Sequence, residues 1–268
     1  DAYIKKNVSN VETFLLDFNV EIKNTNKYDL NILINKLKEF KPNIVAISAL
    51  FNMSYNHLDD ISPTIKKQSN DILVIAGGGL PTNLYEKIFE DCPNIDAICY
   101  GEGEIPMVDL LKSEIFIKTL YSHKSWINKN SLKIGKKPSH SFIYNLDDIP
   151  EFDYSLINLD DYNNRSLFFD GETNKREMSI HTSRGCPFNC VFCASGKVHG
   201  KKVRYMSIKR VINEVNNMIK NHKLTTLIIE DDHLLSDKKR AKEMLKRLAI
   251  FNIRLEFPNG LAVAFIDE

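Results

Sequence analysis

Ile72-Leu73-Val74-Ile75-Ala76-Gly77-Gly78-Gly79 is the stretch on which the reading of this fold turns. Five uninterrupted apolar residues suit a strand covered on both faces, the situation of a strand inside a parallel sheet. Three glycines follow at once, and glycine after a strand marks a tight turn or a close approach of backbone to a ligand. Working outward, Ile44-Val45-Ala46-Ile47-Ser48 is a second apolar run of this type, and Ile95 to Tyr100 reads as a further strand. Helical spacing fills the intervals. Leu30, Leu33, Ile34, Leu37 and Phe40 share one helix face with Pro42 closing it, and further helices are predicted over His57 to Gln68 and near Leu84 to Phe89. Val11 to Asp17 reads as one more strand. Repeated strand–helix units predict an α/β fold with a doubly wound parallel sheet over residues 1–112. Ligands of such sheets lie at the carboxyl ends of the strands. Here those ends are Ser48, the loop Gly77 to Thr82, and the turn Gly101-Glu102-Gly103-Glu104.

Residues 113–177 break the rhythm and are expected to form a linker. Asn128-Lys129-Asn130 resembles a hairpin turn between short strands, and Leu146-Asp147-Asp148-Ile149-Pro150 opens an irregular polar stretch. From Met178 strands and helices alternate again. Met178 to Thr182, Leu224 to Ile229 and Ile253 to Phe257 are predicted strands, with helices over Ile208 to Ile219 and Asp237 to Leu248. A closed barrel of such units takes roughly 200 residues or more, so 178–268 is expected to be the first part of a (β/α) barrel.

The chain has 268 residues, 43% of them hydrophobic, which is enough for two packed domains and argues against disorder. Lys+Arg 36 against Asp+Glu 35 leaves a formal charge of +1, so no global field favours nucleic acid or an anionic membrane. Lys197, Lys201, Lys202 and Arg204 make a local basic stretch. It lacks interleaved aromatics and is expected to be a solvated loop. No apolar run approaches the roughly 20 residues of a membrane span. The opening Asp1-Ala2-Tyr3-Ile4-Lys5-Lys6 is neither a signal peptide nor an initiator Met, so a segment upstream and a cytoplasmic location are expected.

Cys92 and Cys99 stand apart, whereas Cys186, Cys190 and Cys193 fall within eight residues. Such uneven spacing suits a metal-binding loop in a reducing compartment better than a disulfide framework. Three thiolates on one loop can each hold an iron of a four-iron cluster and leave the fourth iron open to a reacting ligand. Zinc is the alternative, with His199 or His181 as a fourth ligand and the protein a non-catalytic, metal-stabilised binder. The lack of a second cysteine pair and the α/β context weigh against it.

Arg184-Gly185-Cys186-Pro187-Phe188-Asn189-Cys190-Val191-Phe192-Cys193 resembles the signature of the radical S-adenosylmethionine (SAM) superfamily, with Phe192 at the aromatic position before the third cysteine. The resemblance implies a [4Fe–4S] cluster on the three cysteines, with SAM chelated to its unique iron. It also implies a one-electron donor such as flavodoxin or ferredoxin, and reductive cleavage to a 5′-deoxyadenosyl radical that attacks a substrate. Arg204-Tyr205-Met206-Ser207 with Val211, Glu214 and Val215 resembles the family's first barrel helix. Glu230 and Asp231 resemble the second-strand end that lies near the methionine moiety, and Asn259 the third-strand end; a solvated acidic loop is the alternative reading of 230–231. Pro42 to Ser48, Gly77 to Thr82 and Gly101 to Glu104, with the connector Leu146 to Pro150, resemble the Rossmann-like cobalamin-binding domain that precedes many such enzymes. That resemblance implies Ser48, Gly77, Gly78, Gly79, Gly101, Glu102 and Gly103 around the nucleotide tail of cobalamin, and methyl transfer as the outcome. The Asp-x-His-x-x-Gly motif of cobalt ligation is absent, and His57 in Asn56-His57-Leu58-Asp59 does not fit it. A front domain without cobalamin therefore stays open. No substrate-side acid or base is assigned.

Overall fold

A computed structural model describes residues 1–162 and 176–266. The chain divides into two compact units, one formed by 1–142 with 197–199 and the other by 143–196 with 200–268. Within the expected 113–177 linker, residues 163–175 lie outside the described residues, as do 267–268 at the end of the expected barrel segment.

The first unit runs α1 (Ala2–Asn7), α2 (Phe18–Thr25), α3 (Leu30–Phe40), β1 (Ile44–Ser48), α4 (Tyr55–Gln68), β2 (Leu73–Gly77), α5 (Gly79–Asp91), β3 (Ala97–Cys99), α6 (Glu104–Leu111), α7 (Phe116–Ser122), β4 (Trp126–Ile127) and α8 (Lys129–Lys133). Its sheet has the order β1-β2-β3-β4, parallel throughout except for the antiparallel β4. Strand side chains alternate between faces, and here each face meets its own apolar layer. Val74, Ala76, Ile98 and Ile127 pack with Leu33, Leu37, Leu58, Ile65 and Ile88 from α3, α4 and α5. Ile75, Ala97, Cys99 and Trp126 pack with Leu110 and Leu120 from α6 and α7. Helices on both faces make the sheet doubly wound. The α3 boundaries follow from local chemistry: the Asp29 carboxylate accepts from the Asn31 N–H, and Lys41 ends the helix in the left-handed conformation just before Pro42.

Two expectations need correction here. Val11 to Asp17 pairs with no strand among the described residues. Its apolar residues anchor it individually instead: Phe14 lies 5.8 Å from Phe40, and Leu16 packs on the core. Asn128-Lys129-Asn130 is no hairpin turn. Asn128 caps α8 by accepting from the Ser131 N–H while the Ser131 hydroxyl accepts from the Asn128 N–H, a capping box that turns the segment helical. Residues 113–142 thus extend the first unit, with β4 hydrogen-bonded to β3.

The second unit contains β5 (Glu177–Ile180), β6 (Ser183–Arg184), α9 (Ser195–Val198, whose second half groups with the first unit), β7 (Arg204–Tyr205), α10 (Ile208–His222), β8 (Thr226–Ile229), α11 (Lys238–Leu248) and β9 (Arg254–Glu256). β5, β8 and β9 form a parallel sheet in sequence order, as successive strands of a barrel do, while β6 and β7 form a short antiparallel ribbon. Met178, Ile180, Leu227 and Ile229 pack under α10 (Val211, Val215, Met218) and α11 (Ala241, Met244, Leu248). Ser207 and Asp237 cap these helices by accepting from the N–H groups of Arg210 and Arg240. No helix among the described residues is long and apolar enough to cross a membrane.

Candidate functional site

The cysteine loop hangs between β6 and β7, whose pairing (Ser183 with Tyr205, Arg184 with Arg204) closes its two stems. Gly185 makes the exit from β6 possible. Its φ is +101°, and a Cβ there would stand 2.7 Å from the Lys202 carbonyl oxygen. The Cys186 N–H donates to the Gly200 carbonyl at 3.2 Å, and the Cys193 N–H to that of Cys190 at 3.1 Å, so the three thiols ride on one folded loop. All three are free, with Cys190 and Cys193 exposed. Burial pushes the Cys186 thiol up, and Asp232, Cys193 and Cys190 add repulsion against its anion. Iron cations would relieve that repulsion, so the donor set fits an iron–sulfur cluster. Among the described residues no three His, Cys, Asp or Glu side chains gather around a point where one metal ion would bind. Cys92 and Cys99 differ in kind. Burial pushes their thiols up to about 11 and about 12, so they remain protonated core residues.

Phe192 is 89% exposed beside Cys193, and Phe188 of the same loop lies 5.1 Å from the His233 ring. His181 and His199 face carboxylates: His181 Nε2 is 3.8 Å from Glu230 Oε2, and His199 Nδ1 is 2.8 Å from Glu102 Oε1.

Strand alternation separates the two neighbouring acids at the end of β8. The ladder continues one residue past the strand, because the Glu230 N–H donates to the Ile180 carbonyl at 2.9 Å. Glu230 then shares the side of Ser179 and His181, away from α10 and α11, and accepts from the Ser179 hydroxyl at 2.7 Å. Asp231 falls on the opposite side and is only 3% exposed. Its Oδ1 accepts the N–H groups of Thr182 (2.6 Å) and Ser183 (3.0 Å), and its Oδ2 accepts their hydroxyls, both at 2.6 Å. The structure thus gives Asp231 four protein partners, and Glu230 keeps a half-exposed carboxylate. Asn259 donates its amide to the Glu230 carbonyl at 3.0 Å and steadies the same segment.

In the first unit the three expected loops meet at the carboxyl edge of the sheet. The Ala49 N–H donates to the Gly77 carbonyl (3.0 Å), the Leu80 N–H to the Ala49 carbonyl (3.1 Å), and the Gly101 N–H to Thr82 Oγ1 (3.1 Å). Gly78 has φ +104°, and a Cβ there would meet the Ala49 carbonyl oxygen at 2.6 Å. Ser48 is exposed, Gly77, Gly79 and Gly103 are half-buried, and Gly101 is buried. The Glu102 side chain is buried against His199 and does not line the edge. Leu50, Phe51 and Met53, next to Ser48, are strongly exposed large apolar side chains. An apolar edge of this kind marks a surface for an apolar partner and suits the wide macrocycle of cobalamin.

Residues 2–111 match the B12 binding domain family, and residues 180–267 match the Radical SAM superfamily. Two family matches thus follow one another along this chain. The chain carries a B12 binding domain ahead of its radical SAM domain, and these domains imply cobalamin, a [4Fe–4S] cluster and SAM as cofactors. Among similar proteins, the uncharacterized methyltransferase PH0819 of Pyrococcus horikoshii is 31% identical over 79% of this chain and 44% of its own length. The cytidylyl-2-hydroxyethylphosphonate methyltransferase of Streptomyces wedmorensis is 25% identical over 88% of this chain and 48% of its own. The chain therefore spans about half the length of these curated relatives. The radical SAM methyltransferase TsrM from Kitasatospora setae, solved with cobalamin and a [4Fe–4S] cluster bound, shares the fold at TM-score 0.55 and 15% identity, over 89% of this chain and 52% of that one.

Proposed function

We propose that this chain holds the cofactors of a cobalamin-dependent radical SAM methyltransferase, with Cys186, Cys190 and Cys193 as the cluster ligands. One observation carries the reading: three free thiols share the single loop that β6 and β7 close, and that loop follows directly on β5, whose neighbouring strand β8 ends at the half-exposed carboxylate of Glu230. Bound there, the cluster and SAM supply a one-electron cleavage that yields a carbon radical, and cobalamin supplies a methyl group. The chain's own residues bind and orient. Glu230 offers a negative charge to the ammonium end of SAM, Phe192 an aromatic face to its adenine, and Asn259 fixes the Glu230 backbone. Ser48, Gly77, Gly78, Gly79, Gly101 and Gly103, with the apolar side chains of Leu50, Phe51 and Met53, form the edge proposed for cobalamin. The electron donor is proposed to be of flavodoxin or ferredoxin type. The methyl acceptor is a molecule whose target carbon lacks an acidic proton, the kind of bond that calls for radical attack.

Anaerobic reconstitution with iron and sulfide tests this. Four irons per chain, a dithionite-reducible chromophore and loss of both in Cys190→Ala are the expected results. About one zinc per chain with no iron would overturn the reading.

A further inference from the structure

The second unit contains a buried polar knot that the cofactor assignment does not use. Asp231 makes the four bonds to Thr182 and Ser183 described above. From the other side the Arg240 guanidinium, on the first turn of α11, donates through Nη2 to the carbonyls of Thr182 and Met206, both at 2.8 Å. Its Nη1 reaches Thr182 Oγ1 at 3.4 Å, and its Cζ lies 5.0 Å from the centre of the Tyr205 ring. Tyr205 is itself tied to Ser236 by a 2.9 Å hydroxyl bond. The Met206 N–H donates to the Thr182 carbonyl at 2.9 Å, and Asp232 Oδ2 accepts from the Gly185 N–H at 3.4 Å.

These groups occupy a particular place. Ser183 opens the ascending stem of the cysteine loop with Thr182 just before it, and Tyr205 closes the descending stem with Met206 just after it. Asp231 belongs to the end of β8 and Arg240 to α11. The knot therefore joins both stems of the loop to the neighbouring strand and helix through two ionised groups of opposite sign. Burial lowers the Arg240 pKa, and the Asp231 charge opposes that shift. Hydrogen bonds to ionised groups are the stronger and better-directed class.

We propose that Asp231 and Arg240 are positioning residues, a latch that sets the height and orientation of the cysteine loop over the end of the strand that carries Glu230. The inference rests on the cluster assignment made above. The latch holds the sulfur ligands in register with the face on which Glu230 stands, so that the open iron and the carboxylate address the same ligand. Asparagine can replace Asp231 with its geometry intact: its carbonyl accepts the two backbone N–H groups and its amide donates to the two hydroxyls. Alanine can do neither.

The test compares the parent, Asp231→Asn, Asp231→Ala, Arg240→Met and the double variant Thr182→Val/Ser183→Ala after anaerobic reconstitution. Iron content, the EPR spectrum of the reduced cluster and its change on adding SAM are read. A shifted or broadened EPR signal with a lost SAM response is expected in Asp231→Ala and Arg240→Met, with recovery of the parent spectrum in Asp231→Asn. Should Asp231→Ala fail to fold by circular dichroism, the Thr182/Ser183 pair decides, since it removes two hydroxyls and leaves the backbone bonds to Asp231. A parent-like EPR spectrum and SAM response in Asp231→Ala or Arg240→Met, or in the Thr182/Ser183 pair where Asp231→Ala does not fold, would overturn the latch while leaving the cluster assignment intact. A parent protein that takes up no iron would remove both.

Discussion

Replacing Gly185 by alanine perturbs the entrance of the cysteine loop with the smallest possible change. The residue has φ +101°, outside the range that L side chains adopt readily. The added methyl would meet the Lys202 carbonyl oxygen at 2.7 Å and that of Gly200 at 3.2 Å. Both obstacles are backbone, so no rotamer change relieves them. One is the acceptor of the Cys186 N–H, so any retreat of that loop backbone weakens the bond as well. Backbone strain of this kind costs about 1–3 kcal/mol. At roughly 2–4 °C per kcal/mol, the second unit should melt roughly 2–12 °C lower than the parent. Differential scanning calorimetry on the iron-free protein isolates this from any cluster effect. Reconstitution should then show a reduced iron content, because the first ligand moves with Gly185. A Gly185→Ala protein that melts with the parent and takes up the same iron would refute the reasoning.

Trp126 is fully buried and donates from Nε1 to the Pro106 carbonyl at 3.2 Å, so Trp126→Ala should cost about 3–5 kcal/mol in urea unfolding of the first unit. A cost near that of a surface change would mean that residues 113–142 are linker after all. Burial raises the Glu214 pKa above its unfolded value of roughly 4.3, although Arg210 pulls the other way. A carboxyl raised on folding binds its proton more tightly in the folded state, so its contribution is complete below the unfolded pKa and is lost as pH rises through the folded one. The stability difference between the parent and Glu214→Gln, followed by urea unfolding from acid to neutral pH, should therefore move in favour of Gln as pH rises. A flat difference would contradict the burial argument.

Local rules written in the chain were enough to place most elements. Apolar runs at 44–48 and 72–76 and helix faces at 30–40 and 208–219 depend on neighbours a few residues away, and all became strands and helices. The glycine loops were legible for the same reason: a strand followed by residues without Cβ has few conformations open to it. The three cysteines stand out by spacing alone as a candidate metal loop. Long-range pairing was not legible. Val11 to Asp17 has strand-like composition, yet its pairing depends on whether a neighbouring edge receives it. Trp126 and Ile127 became a fourth strand because β3 had a free side.

The candidate site divides along the same line. Sequence by itself determined which residues have metal-binding and ligand-binding chemistry, since that is a property of side-chain type and short spacing. Only the tertiary structure decided which of two adjacent acids is spent on the scaffold. Glu230 and Asp231 are indistinguishable in composition, but strand alternation and the arrival of Thr182, Ser183 and Arg240 from distant positions bury one and leave the other open. Arg240 carries no signature of its own. Its role arises from α11 folding back over the end of β5, a contact between residues 58 positions apart that no local pattern encodes.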